Sequence, residues 1–117
     1  MQDLQNKVAA FAAERDWQQF HNPKNLAMAL SVEASELVEI FQWMDPAEAD
    51  NLTGEDRQRV AQELADVLLY SLLMSERLGL DLHSAALEKL SLNERRYPVE
   101  LAKGNSKKYD ELAGQTP

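Results

Sequence analysis

Apolar positions recur along this chain at intervals of three and four, the spacing of helices that each bury one face. Leu4, Val8, Phe11 and Ala12 predict a first helix over about Asp3–Asp16, followed by a connection from Trp17 to His21. Asn22-Pro23 reads as a helix start, with Asn22 as the cap and Pro23 in the first turn. Leu26, Leu30, Leu37, Phe41 and Met44 then predict a second helix from Pro23 to about Met44, stopped by Asp45-Pro46. Residues 46 to 53 suit a short helical turn or loop. Thr53-Gly54-Glu55-Asp56 opens a third helix, with Thr53 as its expected cap, running to about Leu78 with Gly79 as the C-terminal cap. Asp81 caps a fourth helix, which continues to about Arg96 and ends at Tyr97-Pro98. The stretch from Lys103 onwards, rich in Gly, Ser and Lys, is expected to be loosely held. No alternating stretch marks a β-strand and no segment repeats, so the predicted fold is all-α, a bundle of four to five helices in one domain.

The third helix is apolar on most sides, with Val60, Leu64, Val67, Leu68, Leu69, Leu72, Leu73 and Met74. A helix apolar all round is a buried helix. Four helices from one short chain cover it poorly, so the pattern predicts that a second subunit completes the core.

Composition narrows the possible functions. The chain has 117 residues, no cysteine and a net charge of −8. Disulfides and thiolate metal sites are excluded, and a reducing compartment is the natural setting. The N-terminus lacks the basic start and apolar stretch of a secretory signal, and the apolar run Val67–Tyr70 is far too short to cross a bilayer. A cytoplasmic protein that binds neither membrane nor nucleic acid is expected. The charge is uneven: between Lys89 and Lys108 six basic residues stand against two acidic ones, a +4 segment attached to a −12 remainder. An acidic body with a basic extension suits cation-dependent phosphate chemistry, although a plain solvated surface gives the same charge pattern.

The chemistry is carried by two carboxylate pairs, Glu33 with Glu36 on the second helix and Glu63 with Asp66 on the third. Residues three apart lie on one side of a helix, within reach of a shared ligand. An E-x-x-E pair is ordinarily a solvated one, but these acids interrupt faces that should meet the core. Glu33 lies one turn from Leu30 and Leu37, Glu63 falls between Val60 and Val67, and Asp66 is flanked by Leu69, Tyr70 and Leu73. Buried acids gathered together must be protonated, matched by bases, or held round a cation. The two helices supply only Lys24, Arg57, Arg59 and Arg77, all near helix ends. A hard divalent cation fits better, and all-oxygen ligands favour Mg²⁺, with Mn²⁺ as a substitute. Mg²⁺ commonly shares itself between carboxylates and substrate phosphates, which points to a phosphorylated substrate. Glu39 points away from Glu33 and reads as a surface acid. Trp17, Trp43 and Tyr70 lie close enough in sequence to the acids to frame a flat apolar slot for a base, although each aromatic is also ordinary core filling. His21 and His83 read as structural or surface residues. A di-iron bundle would place a histidine three residues after a glutamate, and neither histidine is so placed.

Taken in order, these motifs resemble the MazG-like all-α nucleoside triphosphate pyrophosphatases, and within them the dCTP pyrophosphatase branch. The resemblance rests on Glu33-x-x-Glu36, a spacer of 26 residues and Glu63-x-x-Asp66, and on the runs Phe11–Trp17 with Phe20-His21, Glu36–Trp43, Asp66–Tyr70, Asn93–Pro98 and Ser106–Tyr109. It implies that Glu33, Glu36, Glu63 and Asp66 hold Mg²⁺, and that Trp17, Trp43, Tyr70 and Asn93 enclose the base. Arg96 and Lys108 would contact the phosphates, reached from a neighbouring subunit. A homodimer or homotetramer is implied. Among the four acids, Glu36 is our choice for the carboxylate that orients the attacking water. Two departures stand out. Branch members carry a histidine where this chain has Val8, and the broader family often has a further acid where it has Val32. The rival readings are a relative acting on dUTP or phosphoribosyl-ATP, and a helical binding or scaffold protein whose acids are structural.

Overall fold

The computed structural model describes residues 1–113 and contains helices and turns with no strand among them. Among the described residues seven α-helices follow one another: α1 (Gln2–Glu14), α2 (Pro23–Phe41), α3 (Pro46–Asp50), α4 (Gly54–Leu78), α5 (Leu82–Arg96), α6 (Val99–Ala102) and α7 (Tyr109–Ala113). A 3₁₀ turn, Trp17–Gln19, joins α1 to α2. The chain divides into two compact units, Met1–Leu80 and a second from Asp81 onwards.

In the first unit α4 packs along α2 and also touches α1, so two long helices face each other with α1 laid against the longer one. Local sequence explains where each begins and ends. Asn22 is extended and its side-chain oxygen accepts from the backbone N–H of Asn25 at 2.9 Å, while Pro23 fills a position that needs no donor. The helix stops at Phe41, three residues short of the expected Met44, because Asp45 precedes Pro46 and must be extended. Asp45 then caps α3 through the N–H of Glu48 at 2.8 Å. Thr53 stands at the N-cap of α4, but its side chain makes no capping bond, so that cap is weaker than the sequence suggested. At the other end Gly79 is left-handed with φ 65°; Leu80 N–H reaches Ser75 C=O at 2.8 Å and Gly79 N–H reaches Glu76 C=O at 3.3 Å, satisfying carbonyls the helix leaves free.

The core of the first unit is small: Val8 and Ala12 from α1, Leu26 and Ile40 from α2, and Leu72 from α4 are buried. Gln5 ties α1 to α4 through Ser75 Oγ at 3.3 Å and Glu76 Oε2 at 3.2 Å. Much of the remaining apolar surface is open. Met28, Val32 and Val38 on α2 and Leu64 on α4 are each more than half exposed. The third predicted helix is thus less enclosed than its composition demands.

In the second unit α5 is capped by Asp81, which accepts from the N–H and hydroxyl of Ser84 at 3.1 and 3.0 Å. Those two donors hold the Asp81 carboxyl below its ordinary range. Beyond Lys103, residues 105–108 carry no regular structure, and the short helix α7 follows with Leu112 wholly buried. The Arg96 guanidinium lies 4.4 Å over the Tyr109 ring, which also meets Tyr97 edge-on at 6.4 Å. An aromatic and cationic stack therefore packs at the start of α7.

Candidate metal and nucleotide site

Helix phase brings the acids together. Glu33 and Glu36 sit on one side of α2, Glu63 and Asp66 on one side of α4, and the two helices pack with these sides turned toward each other. Each of Glu33, Glu36 and Glu63 offers a carboxylate oxygen within 4.8 Å of the others. All three are half-buried, and Glu63 Oε2 is fully enclosed with no hydrogen-bond partner. Asp66 stands outside this tight trio but lines the same cavity as Glu33. The cost of the crowding shows in Glu33, whose carboxyl is pushed up to about 7. The main cause is a hydrogen bond shared with Glu63, followed by loss of water and by the neighbouring Glu36 and Asp66 carboxyls. Tyr70 is likewise pushed up, by burial first and then by Glu33, Asp66 and Glu36. A crowded carboxylate cluster in which Glu33 is raised by its neighbours and one enclosed oxygen of Glu63 lacks a partner fits a divalent cation held by oxygen ligands.

Beside the acids lies a cavity of about 420 Å³. Glu33 and Asp66 form its acidic part, and Val8, Phe11, Leu69, Tyr70 and Leu73 supply most of its apolar surface. Trp17 and His21 close it from the 3₁₀ turn, with Trp17 meeting Phe11 edge-on at 5.5 Å and His21 at 6.1 Å. An apolar slot edged by aromatics next to an anion cluster suits a flat ring whose charged substituent reaches a cation.

Of the expected base-enclosing residues, the structure brings Trp17 and Tyr70 to this cavity and leaves Trp43 elsewhere. Trp43 is 89% exposed just beyond the end of α2. Asn93, Arg96 and Lys108 belong to the second unit, and the cavity lining comes entirely from the first. Glu39 is exposed, as its phase on α2 predicts. His21, read from the sequence as structural or surface, lines the cavity, and its Nδ1 is enclosed without a hydrogen-bond partner. Its sequence signals were its place four residues after Trp17, directly before the Asn22-Pro23 helix start, and its part in the Phe20-His21 run. Lys7 was also missed; it lies one turn from both Leu4 and Phe11, and all three line the cavity.

An all-α fold with facing acid pairs beside an aromatic cavity defines a class of cation-dependent helical nucleotide hydrolases. The sequence profile of the MazG-like family matches residues 28–112, and the chain belongs to that family. It is 46% identical over 114 residues to dCTP pyrophosphatase 1 of Homo sapiens, a match that covers 96% of this chain and 67% of the relative. The corresponding protein of Rattus norvegicus is 43% identical over the same length. The crystal structure of a pyrophosphatase from Archaeoglobus fulgidus DSM 4304 superposes with a TM-score of 0.78 at 36% identity, covering 84% of this chain and 92% of that one.

Proposed function

We propose that this protein is a Mg²⁺-dependent nucleoside triphosphate pyrophosphohydrolase that converts dCTP, or a related pyrimidine deoxynucleotide, to the monophosphate and pyrophosphate. Its role would be to clear unwanted or modified deoxycytidine triphosphates from the nucleotide pool. The observation that carries this reading is the double position of Glu33, which belongs to the carboxylate trio and also lines the apolar cavity. A base in the cavity therefore leaves its phosphates beside the acids. The similarity to the dCTP pyrophosphatases of Homo sapiens and Rattus norvegicus supports the choice of substrate.

Glu33, Glu36, Glu63 and Asp66 would hold Mg²⁺, with Mn²⁺ as a substitute. The ion supplies charge neutralisation at the phosphate oxygens, where negative charge grows during hydrolysis between the α and β phosphorus atoms. Glu36 orients the attacking water and accepts its proton. Trp17 and Tyr70 flank the base, and His21 meets its polar edge through the ring nitrogen that lacks a partner. Trp43 and Asn93 are assigned to the base, and Arg96 and Lys108 to the phosphates, on the resemblance alone.

Self-association as a dimer or tetramer belongs to the same reading. It would cover Met28, Val32, Val38 and Leu64, and would give Trp43 a surface to pack on.

The test is a product assay over the common triphosphates with Mg²⁺, scoring pyrophosphate against orthophosphate. The expected result is pyrophosphate release with dCTP preferred, and a loss of more than about a hundredfold in Glu63→Gln. Undiminished turnover in that variant refutes the assignment. A preference for dUTP or phosphoribosyl-ATP would move the protein to another substrate of the same chemistry.

A further inference from the structure

The cavity wall that carries Trp17 and His21 is a short turn with an unusual support. None of Trp17, Gln18 and Gln19 is fully buried, and the edge-on contact of Trp17 with Phe11 holds the turn to α1 but not to α2 or α4. The chain enters it through Asp16 in the left-handed region, at φ 54° and ψ 35°, a conformation aspartate tolerates when its short side chain is hydrogen-bonded locally. Polar ties do the holding. Gln19 Nε2 donates back to the Asp16 carbonyl at 3.0 Å and to its carboxylate at 3.1 Å, closing the turn on itself. Two further ties leave the turn: Arg77 Nη1 on α4 donates to the Gln18 carbonyl at 3.0 Å, and Asn25 Nδ2 on α2 donates to the Phe20 carbonyl at 3.0 Å.

These two ties end on the helices that carry the acids. Arg77 follows Asp66 by eleven residues, three turns and roughly 20° further round the same helix, so Asp66, Tyr70, Leu73 and Arg77 share one face of α4. Gln18, His21, Leu73 and Arg77 also line a smaller recess of about 200 Å³, which shares His21 and Leu73 with the main cavity. The Arg77 and Asn25 bonds thus tie the Trp17–His21 wall to the helices that carry Tyr70, Leu73 and the acids.

We propose that Arg77 and Asn25 are positioning residues that clamp the aromatic turn to α4 and α2, and thereby set the width of the base cavity and its choice of base. This inference rests on the nucleotide reading given above. Neither side chain touches the substrate; each acts through Trp17 and His21. Both ties are exposed to solvent, which limits their strength, so the effect is several-fold rather than a loss of activity.

The test compares Arg77→Met, Asn25→Ala and the double variant with the parent, with Arg77→Lys as the conservative control. Two readouts are needed: steady-state hydrolysis of dCTP and dATP with Mg²⁺, and hydrogen exchange at the Phe20 and His21 amides without nucleotide. Arg77→Met and Asn25→Ala should each raise the KM for dCTP about three- to tenfold with kcat within about twofold. The preference for dCTP over the larger dATP should fall by a similar factor, the two amides should exchange faster, and Arg77→Lys should recover most of the KM. Unchanged exchange overturns the proposal, as does faster exchange with KM and preference intact, or a loss confined to kcat. A parent inactive on every triphosphate refutes the nucleotide reading and this proposal with it, whereas an active parent beside unaltered variants refutes the clamp alone.

Discussion

Glu33 shows how much a single side chain can report about its site. Its carboxyl sits at about 7 because Glu63 shares a hydrogen bond with it, water is partly withdrawn, and Glu36 and Asp66 stand close. Below about pH 4.5 the group is protonated in both folded and unfolded chains, and the stability tied to that proton is fully present. As pH rises from there through about 7, the unfolded chain gives up its proton while the folded chain must be forced to, so stability drains away. Metal-free protein should therefore show a melting temperature that falls across pH 4.5–7.5, measured by calorimetry in chelator. Glu33→Gln should flatten that fall, and Mg²⁺ should raise the melting temperature most at the alkaline end. The candidacy of these acids was legible in the sequence, because acids on apolar helix phases are conspicuous. The role of His21 was not: the orphaned Nδ1 exists only once a turn without periodicity has folded the ring back over the cavity.

Among the elements, the long helices were readable, the short α3 was anticipated as a helical turn or loop, and α6 and α7 were not foreseen. Capping chemistry fixed the start of α2 from two residues, and the cap itself should be measurable. Asn22→Ala should lower stability by about 1 kcal/mol in urea unfolding, with the slope of the transition unchanged. Leu72, wholly buried on α4, should cost about 3 kcal/mol when changed to Ala, the usual range for a core leucine. The 3₁₀ turn escaped the sequence because three residues carry no period. The short helices α6 and α7 escaped it for a similar reason, since four and five residues are too few to show a period. What secures α7 is contact rather than propensity: the buried Leu112 and the stack of Arg96 on Tyr109. Tyr109→Ala should accordingly increase hydrogen exchange in α7 while leaving exchange in α2 and α4 at the parent rate.

For the molecule as a whole, the apolar surface left open is the informative feature. A first unit whose core rests on five buried apolar residues, with Met28, Val32, Val38 and Leu64 turned outward, leaves more of α2 and α4 uncovered than a stable solitary bundle usually does. The sequence anticipated this from the uniformly apolar character of α4, though it could not show which neighbouring faces would stay open. The melting temperature should rise with protein concentration, and Val38→Lys should remove that dependence, as read by sedimentation alongside calorimetry. Among the described residues no helix is long and apolar enough to cross a membrane, so these exposed positions form no bilayer span.

The shared face of α4 has one further consequence. Asp66, Tyr70, Leu73 and Arg77 are mounted on a single rigid rod, so the interval between acid and aromatic wall is counted in residues, about 1.5 Å for each. Such a gauge cannot be lengthened gradually. One alanine inserted between Asp66 and Tyr70 would swing everything downstream by roughly 100° and disperse the wall at a stroke, while the same insertion after Leu80 would leave every mark on the gauge where it was.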